Sequence, residues 1–460
     1  MSKEATNSLP GQGSSAPALF GIPAPAAGSA SGHAPDVVRG AARVRRPERH
    51  QMRMMTCSLD AMLSDDHQAR VVWEYVEGAD LACLYGSIRA VEGRCGRDAI
   101  DPRILMAFWL YATLDGVGSA RELDRLCKDH VAYQWICGGV SVNYHTLSDF
   151  RTANVELQDR LLTAGVAGLM HEGLVTMNRV AQDGMRVRAS AGTSSFRRGK
   201  TLERLEAEAK EQVEALRKEL QDDPSACTKR RQAARERARR ERLERVARAR
   251  QVLHEVQAKK PPDKRDQART STTDPDARFM KMPDGGVRPA VNVQFASDTQ
   301  SQIITGADVG NVGSDMGQMS PMIDQHKDRY GQPPPEMLAD GGFAAREDID
   351  SASRAEPPTT VYAPVQKSRK EGKNCYDRQP GDTDAVAQWR KRMSTPEAQE
   401  IYKERAATAE CVNALARNRG MRQFLVRGIR KIKAVVLWFA LAHNLIRAAT
   451  LRRQVAQAAV

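Results

Sequence analysis

VAQDGMRVRA, from Val180 to Ala189, is the stretch on which the reading of this chain turns. Its residues alternate: Ala181, Asp183, Met185, Val187 and Ala189 fall on one side of an extended chain, and Gln182, Arg186 and Arg188 on the other. This period of two predicts a β-strand and sets the carboxylate of Asp183 on an otherwise apolar face. A charge buried there alone is too costly, so a cation is expected beside it and Asp183 becomes a candidate metal ligand.

On the N-terminal side of this strand the period changes. From Cys57 to about Glu172 apolar residues recur at helical spacing, as in Ile104, Leu105, Phe108, Trp109, Tyr111 and Ala112 behind the helix start Asp101-Pro102. The short elements SARELDRLC (Ser119 to Cys127), VAYQWIC (Val131 to Cys137) and a helix beginning near His145-Thr146 are joined in part by Gly138-Gly139. Helix-turn-helix docking on DNA and plain helical packing both account for that pattern. Residues 1–48, rich in Ala, Gly, Pro and Ser, read as a disordered tail with one basic run, Arg43, Arg45, Arg46 and Arg49.

On the C-terminal side further strands are readable in VNVQFAS (Val291 to Ser297), QIITGADV (Gln302 to Val309), EMLAD (Glu336 to Asp340) and TVYAPV (Thr360 to Val365), with a helix between Asp315 and Tyr330. The order predicts an α/β fold, a mixed sheet covered by helices and broken by a long insert. In the insert Leu202, Leu205, Ala209, Val213, Leu216 and Leu220 keep a three-four spacing, DDPS (Asp222 to Ser225) interrupts, and Leu243, Val246, Leu253 and Val256 resume it. That is an antiparallel helical hairpin. Its arginine-dense run from Lys229 to Arg250 fits either a solvated helix face or an arm that contacts phosphates.

Two more carboxylates fit a site begun by Asp183. Asp340 closes EMLAD before Gly341-Gly342, where the carboxyl end of a strand meets a flexible turn; a simple capping turn is the competing explanation. Hard divalent ions need two or three oxygen ligands, so a third is expected from a helix. IYKERAATAECVNALARNRG, Ile401 to Gly420, supplies one: Lys403, Ala407, Glu410, Ala414 and Arg417 form a stripe in which small alanines flank Glu410. Glu397, Glu400 and Glu404 compete for the role, and Arg417 is able to hold a phosphate. Arg422, Arg427, Arg430, Lys431 and Lys433 follow as a phosphate patch, and His443 and Asn444 read as core or capping residues.

Length and charge agree with this organisation. A chain of 460 residues exceeds one domain, and its net charge of +13 favours an acidic partner, nucleic acid first. The longest apolar run, Ala434 to His443, is about half of the roughly 20 residues that a spanning helix needs. The N-terminal sequence lacks the build of a secretory signal, and the eight cysteines include no CxxC, so a reducing cytoplasm is expected. SSFRRGKT (Ser194 to Thr201) lacks the first glycine of a phosphate loop, and Cys127, His130, Cys137 and His145 match no zinc spacing, which leaves the latter as core residues.

The stretches DPRILMAFWLYATLDGVGSARELDRLC, AYQWICGGV and HTLSDFR resemble the N-terminal helical domain of bacterial insertion-sequence transposases of the DDE type. VAQDGMRVRASAG, TDPDARFMK, NVQFASD, MLADGGF, YKERAATAECVNALARNRGMRQFLVRGIRKIKA and LAHNL resemble their catalytic domain, in the family's order. The resemblance implies a helical DNA-binding domain over 49–172 and a ribonuclease-H-like catalytic domain over 173–200 and 270–460, with a basic helical-hairpin insert at 201–269. It implies two magnesium ions, replaceable by Mn²⁺, held by Asp183, Asp340 and Glu410. The family's Tyr, Arg, Glu and Lys signature falls on Tyr402, Arg405, Glu410 and Arg417, with Arg in place of Lys and one extra residue between Arg405 and Glu410. Tyr402, Arg405, Arg417, Arg422, Arg427, Arg430 and Lys431 are then expected to contact DNA.

The implied activity is binding of terminal inverted repeats, metal-dependent strand cleavage and strand transfer to target DNA. It would be performed by a homodimer or larger assembly when ends are paired, in the cytoplasm at the nucleoid, without membrane or nucleotide cofactor. The alternative is a DNA-binding remnant or regulator that no longer cuts.

Overall fold

The computed structural model describes residues 56–459 except 94–96, 223–227 and 367–373. The expected tail at 1–48 and most of the DDPS break lie outside the described residues.

The first half is helical: α1 (Gln68–Gly78), α2 (Ala82–Gly86), α3 (Pro102–Leu114), α4 (Ala120–Asp129), α5 (Val131–Cys137), α6 (Tyr144–Ala153) and α7 (Val155–His171). Local chemistry sets the starts. Asp101 accepts a hydrogen bond from the Arg103 amide with Pro102 at the first helical position, and Ser119, His130 and Asn143 cap α4, α5 and α6. The α5–α6 turn runs through Gly138 and Gly139 at φ 54° and 83°, a left-handed path that side chains resist. The α3 stretch Ile104–Ala112 is buried all round, and its Trp109 Nε1 donates to the Leu147 carbonyl at 2.9 Å, tying α3 to α6.

Next comes β1 (Arg179–Arg188), followed by the short β2 (Phe196–Arg197) and the hairpin of α8 (Gly199–Asp222) and α9 (Lys229–Ala258). The hairpin returns through β3 (Thr270–Ser271), which pairs antiparallel with β2. Then come β4 (Arg278–Lys281), β5 (Val287–Asp298), β6 (Ile304–Gly310), α10 (Met319–Tyr330), β7 (Glu336–Leu338), α11 (Arg346–Arg354), β8 (Thr360–Tyr362), α12 (Asp384–Met393) and α13 (Pro396–Arg405). The chain ends in α14 (Cys411–Asn418) and α15 (Ile429–Ala458).

β1 is central. β5 lies antiparallel on one side of it, with β4 and β6 both antiparallel along the far edge of β5. β7 and then β8 lie parallel on the other side, so the sheet is mixed as the strand order predicts. The helical first half is not a separate core. Leu63 through Met177, β1 and β5 residues such as Met185 and Phe295, and the α15 segment Val436–Ala442 bury one another in one continuous cluster. A second cluster joins Val180 and Ala181 to β7, β8 and helices α10 to α13.

By length and composition α15 could cross a membrane, yet most of its apolar window is buried within the fold. The run Val436–Asn444 is buried without a break, packed on α3, α6, α7 and β6.

Candidate active site

Asp183 sits mid-β1, opposite Phe295 of β5. The parallel register of β1 with β7 runs from Arg179↔Glu336 to Ala181↔Leu338, and Asp340 follows Leu338 by two residues as Asp183 follows Ala181. Asp340 lies two residues beyond the end of β7, where its Oδ1 accepts the Gly342 amide at 2.6 Å. Asp183 feels the Asp340 carboxylate. Burial pushes the Asp183 carboxyl up to about 6 and Asp340 adds to that, against the pull of Arg405, the Gly184 amide and Asn413.

The helix expected over Ile401 to Gly420 is not a single α-helix. Between α13 and α14, residues Ala406–Glu410 form a π turn, a widened helical turn that is found mostly at functional sites. The stripe Lys403, Ala407, Glu410, Ala414, Arg417 is therefore broken. Thr408 and Ala409 are buried, whereas the Glu410 side chain is 53% exposed rather than turned fully inward. The extra residue between Arg405 and Glu410 is absorbed by this turn, and Arg405 Nη2 meets Glu410 Oε1 at 2.6 Å.

Arg405 is the cation that the lone charge on β1 required. Its Nη1 lies 3.6 Å from Asp183 Oδ2, so one guanidinium joins two of the three candidate ligands. Its charge lies over the Tyr402 ring at 5.7 Å, and Nη1 is buried without a hydrogen-bond partner. Asn413, three residues past Glu410, donates from Nδ2 to Asp183 Oδ2 at 3.0 Å. Sequence reasoning passed over this amide, although its spacing from Glu410 put it on the same helix face.

Two of the three competing glutamates are engaged elsewhere. Glu404 and Glu336 both grip Arg179, at 2.5 and 2.6 Å, and Glu400 pairs with Lys403. A further carboxylate, Asp315, was read only as the start of a helix. It lies in the loop before α10 and accepts from Asn292 and Gln294 of β5 at 2.7 and 2.8 Å. A Cβ at position 184 would stand 2.1 Å from Asp315 Oδ1, so the glycine after Asp183 is what admits this loop against β1.

The expected DNA-contacting residues divide in two. Tyr402 and Arg405 belong to the carboxylate cluster. Arg417, Arg422, Arg427, Arg430 and Lys431 are exposed, Arg430 in a bidentate pair with Glu156. Arg427 and Lys431 line a cleft of about 770 Å³ together with Arg245 and Arg248 of α9 and Ser148 and Thr152 of α6. The hairpin, the helical half and the chain leading into α15 meet there.

The three candidate ligands Asp183, Asp340 and Glu410 are all carboxylates, whose oxygens suit a hard divalent ion. Among the described residues, however, no three acidic, His or Cys side chains are gathered into a ready metal cluster, and Glu410 is paired with Arg405. His130 caps α5 through Nδ1, in agreement with a structural reading of the Cys127 to His145 region.

A carboxylate in the central strand of a mixed sheet, a second just past the end of the neighbouring strand and a half-buried arginine that joins the first to a helical glutamate make up the site. Comparison with known families narrows its class. Residues 57–153 match the family model described as a transposase domain (DUF772), and residues 366–449 match the transposase DDE domain. The chain thus carries two transposase domains, consistent with a DDE-type insertion-sequence transposase. Glu410 falls within the second match; Asp183 and Asp340 fall outside both. No match was found among curated proteins or among solved structures.

Proposed function

We propose that this transposase binds the terminal inverted repeats of an insertion sequence, cuts DNA strands at its ends and joins them to target DNA. The observation that carries the reading is that Asp183 and Asp340 follow the paired β1–β7 positions Ala181 and Leu338 by two residues each, near enough for Asp340 to raise the Asp183 carboxyl, with Glu410 joined to Asp183 through Arg405. The strand senses support a ribonuclease-H-like sheet: three antiparallel strands, β6, β5 and β1, then β7 and β8 parallel to β1. The domain boundaries inferred from sequence, 49–172, 173–200 with 270–460, and 201–269, remain part of this proposal.

Asp183, Asp340 and Glu410 would hold two divalent ions, magnesium first and manganese as a substitute. When bound, such ions supply activation of a water or 3′-hydroxyl and stabilisation of the leaving oxygen. The chain's own residues do the rest. Asn413 orients the Asp183 carboxylate, Arg405 offsets the charge of Asp183 and Glu410 until the ions are in place, and Arg179 ties β1, β7 and α13 together. Arg417, Arg422, Arg427, Arg430 and Lys431 would grip phosphates, in a homodimer or larger assembly that pairs the ends.

The Arg405–Glu410 pair is also the one observation that favours a second reading, a DNA-binding remnant that no longer cuts. Incubating the protein with a supercoiled plasmid bearing the DNA that flanks its reading frame separates the two. Breaks at the ends that need Mg²⁺ or Mn²⁺ and vanish in Asp183→Asn, Asp340→Asn and Glu410→Gln support the transposase. Specific binding without breaks supports the remnant.

A further inference from the structure

We propose that Gln302, held by α15, is the positioning residue that sets Glu410 for cleavage, by fixing the π turn on which Glu410 stands. The proposal rests on the reading of Glu410 as a catalytic ligand.

In an uninterrupted α-helix, five residues advance about 500°, which would leave Arg405 and Glu410 roughly 140° apart around the axis. They meet at 2.6 Å only because the turn at Ala406–Glu410 is widened. Such a turn offsets the carbonyl ladder and opens a carbonyl to an outside donor. Here the donor is Gln302 Nε2, which reaches the Ala407 carbonyl at 2.9 Å from the turn between β5 and β6.

Gln302 is itself fixed from three directions. Its φ of 59° is in the left-handed region, a strained place for a non-glycine that persists only where neighbours enforce it. Its amide donates to the Asp298 carbonyl at 2.9 Å, and its own carbonyl accepts from His443 Nε2 at 2.9 Å. α15 grips the same turn twice more: Arg447 Nε donates to the Ser301 carbonyl at 2.7 Å, and Asn444 brackets Ile304 with its amide and carbonyl, both at 2.8 Å. His443 and Asn444, the polar pair inside an apolar helix, thus acquire a task. A chain of contacts runs from α15 through Gln302 to Ala407 and ends at Glu410.

The test compares wild type, Q302A, and Q302A with Ala406 deleted. That deletion removes the extra residue, so Arg405 and the glutamate return to an i,i+4 spacing that a plain α-helix serves without help. Three quantities are measured: amide hydrogen exchange over 406–411, affinity for a duplex of the flanking DNA, and kcat for its cleavage in Mg²⁺. Q302A is expected to exchange faster at 406–411 and to keep DNA affinity within about twofold, while kcat falls on the order of 10²-fold, as for a misplaced reacting group. The shortened helix should recover most of the rate. A merely structural Gln302 would give no such recovery.

Unchanged exchange in Q302A overturns the hold, while cleavage by the wild type leaves the three carboxylates standing. A loss of rate that persists in the shortened helix overturns the positioning role. A wild-type chain that cuts nothing with Mg²⁺ or Mn²⁺ overturns the role of Glu410, and the catalytic part of this proposal with it.

Discussion

α9 and α15 are both 30 residues long, and they could hardly be more different in what they touch. α9 is polar nearly all round; among its described side chains only Val246, Ala249, Val252 and Leu253 are buried, against α8, β3 and the short segment Pro262–Gln267. Its polar contacts include ion pairs across the hairpin, such as Arg235 with Glu219 at 2.8 Å and Arg250 with Glu206 at 3.0 Å. α15 is apolar through its middle and is the pin on which the helical half, the sheet and the 301–304 turn are mounted. Length and helicity are the same; burial decides which helix is scaffold and which is free to meet a partner.

The comparison can be broken most directly at its deepest point. Trp438 of α15 is almost fully buried, lies 6.2 Å from the Phe150 ring and donates from Nε1 to the Arg151 carbonyl at 2.9 Å. Trp438→Ala should lower the unfolding free energy by about 3–5 kcal/mol in urea titrations. Removing Leu202 to His254 and bridging the gap should leave a cooperative transition and weaken DNA binding instead. A loss of folding on removal of the arm, or a mild effect at Trp438, would reverse the roles assigned to the two helices.

A smaller effect of about 2–3 kcal/mol per group is expected from pH, at His443 of α15 and at His326 of α10, which burial also lowers to about 4. Burial lowers His443 to about 4, from 6.5. The folded state then holds fewer protons than the unfolded one, so this stability is full above pH 6.5 and is lost as pH falls towards 4. His443→Gln should flatten the acid limb of a stability–pH curve; an unchanged limb would mean that other groups set it.

Asp183 has the opposite sign. Burial raises it to about 6, so its contribution is full below the unfolded value near 3.8 and is lost as pH rises through 6. In metal-free protein Asp183→Asn should therefore add about 1–3 kcal/mol at pH 8 and nothing at pH 3, while abolishing cleavage. Thermal melts at the two pH values check it, and a destabilised variant at pH 8 would show that Arg405 and Asn413 outweigh burial.

The smallest change in stability is expected on α9. Arg245→Glu with Arg248→Glu should leave Tm unchanged, but should reduce the slope of log Kd against log salt by about 2 if both residues reach phosphates. An unchanged slope would return the arm to a solvated helix face.

Much of this was legible in the chain, and for identifiable reasons. The two-residue period around Asp183 and the three-four spacing of the insert are local patterns, and local backbone geometry obeys them. The runs EMLAD and TVYAPV located β7 and β8 to within two or three residues, each strand stopping short of the end of its run. What escaped was of another kind. Ile401 to Gly420 reads as one helix because its apolar period is nearly unbroken, and only contacts with β1, β5 and Gln302 reveal the widened turn. Asp315 looked like a helix start, since nothing near it in sequence shows that Asn292, Gln294 and Gly184 await it.

The sequence by itself determined the strand that carries Asp183, the helical hairpin, the buried C-terminal helix and the candidate carboxylates, because each is written in side-chain period and chemistry over a few turns of chain. Only the tertiary structure decided that Asp340 comes near Asp183, that Arg405 bridges Asp183 and Glu410, and that α15 reaches the turn before Glu410 through Gln302. Those are contacts between residues often more than a hundred positions apart. They are fixed by strand register and by the packing of whole elements, which no local stretch of sequence encodes.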